Sequence, residues 1–197
     1  MNKEQLTIFL GRPAHAVARD LIGCTLLLGS GDSAAGGIIV ETEAYTSDDP
    51  ASHTFRGKSV RNAAMYGPPG TIYIYFTYGM HYCMNIVTGN SDGQAVLLRA
   101  LQPTQGIAYM AKRRGGMSTE NLCNGPAKLV QALGVTKDLN GKHLLGCGFH
   151  LTRTAQNVKV AIGPRIGIIK NAHALLNFQL SHSLFISPYA KRKKFHS

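Results

Sequence analysis

Four of the ten acids in the chain, Glu41, Glu43, Asp48 and Asp49, fall in the single window VETEAYTSDDPASHTFRG at residues 40–57. The same window holds Tyr45 and His53. A carboxylate beside a phenol and an imidazole can act as a general base, and the simplest proton for it to take is that of a water. Other chemistries lack their residues. The chain has no G-x-S-x-G elbow, no H-E-x-x-H pair and no glycine-rich phosphate loop, so triad, zinc and nucleotide-cofactor mechanisms are not indicated. Glu43 is the expected base.

Side chains alternate along a strand. In IIVETEAY the alternation puts Ile38, Val40, Thr42 and Ala44 on one face, and Ile39, Glu41, Glu43 and Tyr45 on the other. The first face can enter a core. The second reads either as an active-site wall or as an ordinary solvent-facing strand. Further along, TIYIYFTYGMHYCMNIV holds two β-rich runs around Tyr78 and Gly79, which reads as a hairpin tip. An aromatic at that tip, Tyr78, is a candidate wedge between bases. Tyr73 and Tyr75 share a strand face and are candidate stacking platforms, although cross-strand aromatic packing explains Tyr73 and Tyr82 equally well.

The elements that must position these residues come in irregular order. A helix is predicted over residues 12–24, then strands in CTLLLG and GGIIVETEAY, a polar loop over residues 46–70, the hairpin, and a strand in QAVLLRALQP. Helices follow in TQGIAYMAKRRG and NGPAKLVQALGV, the second with Pro126 in its first turn. Short strand-like runs close the chain: GFHLTRT, VKVAIG and NFQLSHSLFIS. This order predicts an α+β fold with a largely antiparallel sheet rather than a doubly wound one. The 197 residues suit one domain, 1–197, ending in a mobile basic tail at about 188–197.

Lys and Arg number 21 against ten acids, a formal charge of +11. That balance favours a polyanionic partner, nucleic acid first. No apolar run is long enough to span a bilayer, and the N-terminus has no signal-peptide pattern, so a cytoplasmic protein without membrane attachment is expected. The four cysteines are scattered, with no C-x-x-C; they read as small buried side chains, with no metal site and no cofactor.

Taken together, GGIIVETEAY, DDPASHTFRG, RNAAMYGPPGTIYIYFTYGMHYCMNIV, AVLLRALQP, NGPAKLVQALG and GPRIGI resemble the 3-methyladenine (alkyladenine) DNA glycosylases. The resemblance implies base-excision repair. An alkylated or deaminated purine is flipped from duplex DNA, its N-glycosidic bond is hydrolysed without a metal, and an abasic site remains. It implies a single mixed domain around a curved antiparallel sheet, with a protruding hairpin that enters damaged double-stranded DNA; one domain on duplex DNA needs no partner, so a monomer is expected. Carried over by position, Glu43 matches the general base. Arg99 matches an arginine near the water and the DNA backbone. Tyr45, His53 and Tyr75 match the clamp around the flipped base, and Asn85 the residue that crowds guanine's 2-amino group. Tyr78 matches the residue that fills the vacated stack, with Met80 beside it.

Three features depart from the family pattern. The loop between Tyr45 and His53 is slightly short. His81 stands where an aromatic is expected. NFQLSHSLFIS replaces an RFY…G-S-P segment, without its arginine, tyrosine and glycine. Two other functions use the same residues. A non-catalytic DNA-binding protein would share the basic surface and the hairpin, but has no use for an acid in a basic groove. An O-glycoside hydrolase would use Glu41 and Glu43 as paired carboxylates; against it stand the charge and the absence of Trp. Glu41 is instead expected to be structural, paired with an arginine.

Overall fold

The computed structural model describes residues 1–77, 81–153 and 157–188. Its centre is an eight-stranded antiparallel sheet, with helices against one face. The expected α+β class is what the chain adopts. The helices are α1 (Lys3–Leu10), α2 (Ala14–Leu21), α3 (Ile107–Arg113), α4 (Thr119–Leu122) and α5 (Pro126–Leu133). The strands are β1 (Thr25–Leu28), β2 (Ala35–Tyr45), β3 (Ile72–Thr77), β4 (His81–Thr88), β5 (Gln94–Gln105), β6 (Phe149–Thr152), β7 (Val160–Gly163) and β8 (Asn177–Leu180). α1 was not anticipated, yet Asn2 and Gln5 form a reciprocal capping box at its start. No helix among the described residues is long and apolar enough to cross a membrane.

The order β3-β4-β5-β2-β1-β6 makes β2 the axis of the sheet. β5 pairs along one side of it. On the other side β1 pairs with its first residues and β8 with Glu41, Thr42 and Glu43. Both its edges are thus paired, and residues of both its faces are buried, Thr42 and Ala44 as well as Glu41 and Glu43, which excludes the solvent-facing reading. Two strands crowd Gly36 and Gly37. A Cβ on Gly37 would lie 1.9 Å from the Gln102 carbonyl oxygen, and one on Gly36 2.1 Å from that of Leu26. Only residues without a side chain fit there.

The core follows from simple patterns. In α2, Ala14, Val17, Ala18 and Leu21 recur at helical spacing and are fully buried. Thr42 faces this helix and donates to the Ala18 carbonyl at 2.8 Å. On β3, β4 and β5, Ile72, Ile74, Ile86, Val96 and Leu98 join the large apolar cluster. Their neighbours Tyr73, Val87 and Ala95 join Met65 in a second, smaller cluster. That alternation gives the sheet one helix-covered face and one face that carries the aromatic and charged side chains.

Two bulges change the expected alternation on β2. The register runs Ile39 with Leu101, Glu41 with Ala100 and Thr42 with Leu98. Val40 on β2 and Arg99 on β5 are each left over. A bulge adds a residue and shifts the faces beyond it. Ile39 therefore belongs to the same apolar cluster as Ala44, not to the face of Glu41, Glu43 and Tyr45. β3 and β4 form the expected hairpin, from Ile72 opposite Ile86 to Thr77 opposite His81. Its tip, with Tyr78 and Met80, lies outside the described residues, as does the tail beyond Pro188.

Candidate active site

Glu41 and Glu43 have no solvent exposure, and Arg99 is 6% exposed between them. Arg99 donates from Nε to Glu41 Oε1 at 2.8 Å and from Nη1 to Glu43 Oε2 at 3.3 Å. Its place as the left-over residue of a bulge brings its guanidinium to carboxylates on the neighbouring strand. Burial works against its charge, but Glu43 and Glu41 outweigh that and raise its pKa, so it is always a cation.

The other donors come from the far end of the chain. Asn177, the first residue of β8, donates from Nδ2 to Glu41 Oε1 and to Glu43 Oε1, each at 3.1 Å. The Ile166 amide donates to Glu43 Oε1 at 2.7 Å. Ser187 donates to Glu41 from its amide at 2.7 Å and from its hydroxyl at 3.1 Å. On Glu43 Oε2 the second donor is the Tyr45 hydroxyl, at 2.9 Å. Burial first, then the Glu43 charge, raises the Tyr45 pKa, so the phenol keeps its proton and stays a donor.

Both acids lie behind the residues bonded to them. Glu41 is held by Arg99, Asn177 and Ser187, and of these Arg99 and Ser187 border open space. Its expected pairing with an arginine is what the structure has. Glu43 Oε2 is held by Tyr45 and Arg99, both of which line a cleft of 680 Å³. That volume lies in the range of small-ligand sites. Pro126 and Lys128 at the start of α5 form another part of its wall. Lys128 donates to Asn124 at 2.8 Å, and burial lowers its pKa.

The cleft runs into a smaller cavity of 70 Å³, and Tyr45, His53, Tyr75 and Ile168 line both. Asn85 lies on the smaller one, 4% exposed, opposite Tyr73 in the sheet and donating to its carbonyl at 3.2 Å. Tyr73 and Tyr75 stack at 5.8 Å between ring centroids, 28° from parallel. His53 meets Tyr75 edge-on at 4.7 Å, and its Nδ1 lies 2.9 Å from the Tyr73 hydroxyl. Desolvation, then the charge of Arg61, lowers the His53 pKa and favours the neutral ring. Tyr82 has a different use: it packs against Phe76 across the hairpin at 5.1 Å.

A second arginine holds the loop. Arg165 is 1% exposed and pairs with Asp49, donates to the Ala44 carbonyl at 3.1 Å, and lies 4.6 Å over the Tyr45 ring. Asp49 also accepts from the Ala51 amide at 3.0 Å and from Asn171 at 3.2 Å. Three of the four acids in the window thus pair with arginines. Glu41 and Glu43 share Arg99, and Asp49 takes Arg165.

The structure brings Arg99, Tyr45, His53, Tyr75 and Asn85 to the walls of two adjoining cavities, with Glu43 bonded behind Tyr45 and Arg99. Residues that sequence reasoning passed over are Asp49, Arg165, Ile166, Asn177 and Ser187. The GPRIGI segment was a signal for two of them. The divergent NFQLSHSLFIS segment still supplies Asn177 and Ser187 to the acids. Cys24, Cys83 and Cys123 are buried, whereas Cys147 is only partly so. Cys83 is more than filler, since it forms part of the cleft wall.

Residues 8–184 match the family described as Methylpurine-DNA glycosylase (MPG). Among curated relatives, several provisionally named 3-methyladenine DNA glycosylase are similar along nearly the whole chain. One from Rhodopseudomonas palustris is 48% identical over 180 residues, covering 91% of this chain and 85% of its own length. One from Granulibacter bethesdensis is 46% identical, with coverages of 91% and 85%. One from Nitrosospira multiformis is 44% identical, with 95% of both chains covered.

Proposed function

The chain belongs to the methylpurine-DNA glycosylase family, and on that premise we propose that it is a DNA-3-methyladenine glycosylase in which Glu43 activates the attacking water. The observation that carries the reading is a buried acid whose Oε2 is bonded to two cleft-lining side chains, Tyr45 and Arg99. Glu43 accepts bonds from Ile166, Asn177, Tyr45 and Arg99, and the Arg99 bond is the longest at 3.3 Å. A water reaching Oε2 displaces that contact first. Arg99 stays in place through its 2.8 Å bond to Glu41.

The substrate is a purine flipped out of duplex DNA. Flipping costs a few kcal/mol, less at a damaged pair. Contact with Tyr45, His53 and Tyr75 returns part of it, at about 1–3 kcal/mol for a stacked base. An N3- or N7-alkylated base is a cation and leaves as a neutral molecule, so it needs no acid. The enzyme then has two tasks, to orient a water and to stabilise the cationic sugar. The Glu43 carboxylate serves both, by accepting the water's proton and by its charge. Asn85, on the wall of the smaller cavity, is the residue that meets the purine edge and discriminates against guanine. Tyr78, with Met80, fills the gap left in the stack. Arg99 positions the acid. The protein works as a monomeric single domain on double-stranded DNA.

Single-turnover release of 3-methyladenine from methylated duplex DNA tests the reading. Glu43→Gln should retain binding to damaged DNA and lose on the order of 10²–10⁴ in release rate, the usual contribution of a general base. Release at the wild-type rate by Glu43→Gln would refute the assignment of the base. Release by neither protein would refute the glycosylase reading.

A further inference from the structure

Between His53 and Asn62 the chain makes a tight loop whose root is buried and whose tip is not. At the root, Thr54 is 2% exposed and donates to the Gly93 carbonyl at 2.9 Å. Asn62 is 3% exposed and works as a staple. Its Oδ1 accepts from the Ser59 amide at 2.7 Å, and its Nδ2 donates to the carbonyls of His53 at 2.8 Å and Gly57 at 3.0 Å. Gly57 turns the chain with φ +86°, a conformation natural to glycine.

The tip carries the cations Arg56, Lys58 and Arg61, all exposed. Between them stand Phe55, 49% exposed, and Val60, fully exposed. A loop stapled in this way cannot fold its apolar side chains back onto the core. Lys58 Nζ lies 5.7 Å from the Tyr66 ring centroid, but the three like charges repel each other, so the folded chain alone gains little from the arrangement. A polyanion with apolar faces between its charges matches both features, and a nucleic-acid strand is such a polymer. The loop is also next to the base pocket, because the bonded His53 lines it and the Arg61 charge is felt at His53.

We infer that residues 55–60 form a preformed second contact arm for the duplex, with Arg56 and Lys58 on phosphates beside the flipped nucleotide and Phe55 and Val60 against sugars and base edges. The inference rests on the glycosylase reading only in taking the occupant to be duplex DNA. Arg61 is left out of the test because its charge acts on His53.

The test measures affinity for undamaged duplex against KCl concentration, alongside single-turnover base release at saturating enzyme. Arg56→Ala/Lys58→Ala should reduce the slope of log K against log salt by about 1.8, from ~0.9 per phosphate contact. Phe55→Ala/Val60→Ser should keep the wild-type slope and weaken binding about fivefold or more, the low end for a base contact. Both should release base at the wild-type rate once saturated and unfold at the wild-type temperature. A wild-type slope in the Arg56/Lys58 variant overturns the arm. So does a loss confined to single-stranded DNA. A reduced slope in a protein that releases no base would uphold the arm and sink the glycosylase reading instead.

Discussion

Asp49 and Arg165 lie 116 positions apart in sequence and form a buried ion pair. Burial alone would raise the Asp49 pKa, but the bonds from Arg165, the Ala51 amide and Asn171 outweigh it, so the pKa is lowered. A carboxyl lowered on folding stabilises the protein above its unfolded pKa of ~3.9, and the contribution is lost as pH falls through the folded value. Asp49→Asn should therefore cost about 3–5 kcal/mol at neutral pH, by leaving the Arg165 charge buried without its acid. Urea unfolding of both proteins from pH 7 to pH 2 checks this. The gap should close in acid, and a constant gap would mean that ionisation of Asp49 is not its source. The opposite class of group is His53, whose pKa is lowered by desolvation and then by Arg61. Its folded ring binds fewer protons than the unfolded one just below ~6.5, so stability from this site rises with pH up to that value and is lost as pH falls through the folded pKa. An NMR titration should find its midpoint below the usual histidine value, and Arg61→Ala should move it part of the way back.

At the scale of elements, β2 is the piece on which the rest depends. It carries both site acids on one face, packs α2 on the other, and pairs with three strands. Gly37→Ala would push a methyl into the Gln102 carbonyl and should cost about 3 kcal/mol or more, since backbone cannot give way as a side chain can. Thermal denaturation measures it. β8 is short, but its first residue ties two carboxylates together. Asn177→Leu removes both bonds and should destabilise the fold by roughly 2–3 kcal/mol, the scale of a hydrogen bond to a charged group. It should also slow base release, because Glu43 loses one of the donors that hold Oε1. Base release at the wild-type rate would limit Asn177 to a structural role.

For the whole molecule, the charge of +11 coexists with an interior where three acids share two arginines. The three acids and their two arginines leave a formal charge of only −1 in the interior, so the excess of positive charge is carried by the rest of the chain. Binding to undamaged duplex should accordingly depend steeply on salt. If the footprint reaches the 6–10 phosphates common for duplex binders, affinity should fall on the order of 10³–10⁵ between 50 and 200 mM. Fluorescence anisotropy at several salt concentrations measures this, and a flat response would contradict an extended phosphate footprint.

The sequence alone determined the parts that depend on local pattern or on a long family block. Alternation along residues 38–45 put Glu41, Glu43 and Tyr45 on one face, and helical spacing from Ala14 to Leu21 defined α2. The block around Tyr73–Asn85 carried the family likeness that the comparisons bear out. Only the tertiary structure decided what depends on register and on distant partners. The bulges at Val40 and Arg99 exist only between two paired strands, so no window of one strand could reveal that Ile39 leaves the site face. The donors on the two acids from Ile166, Asn177 and Ser187 lie more than 120 positions away. A buried carboxylate must find such donors or lose its charge, but the need alone does not say which residues meet it. The path of the chain does.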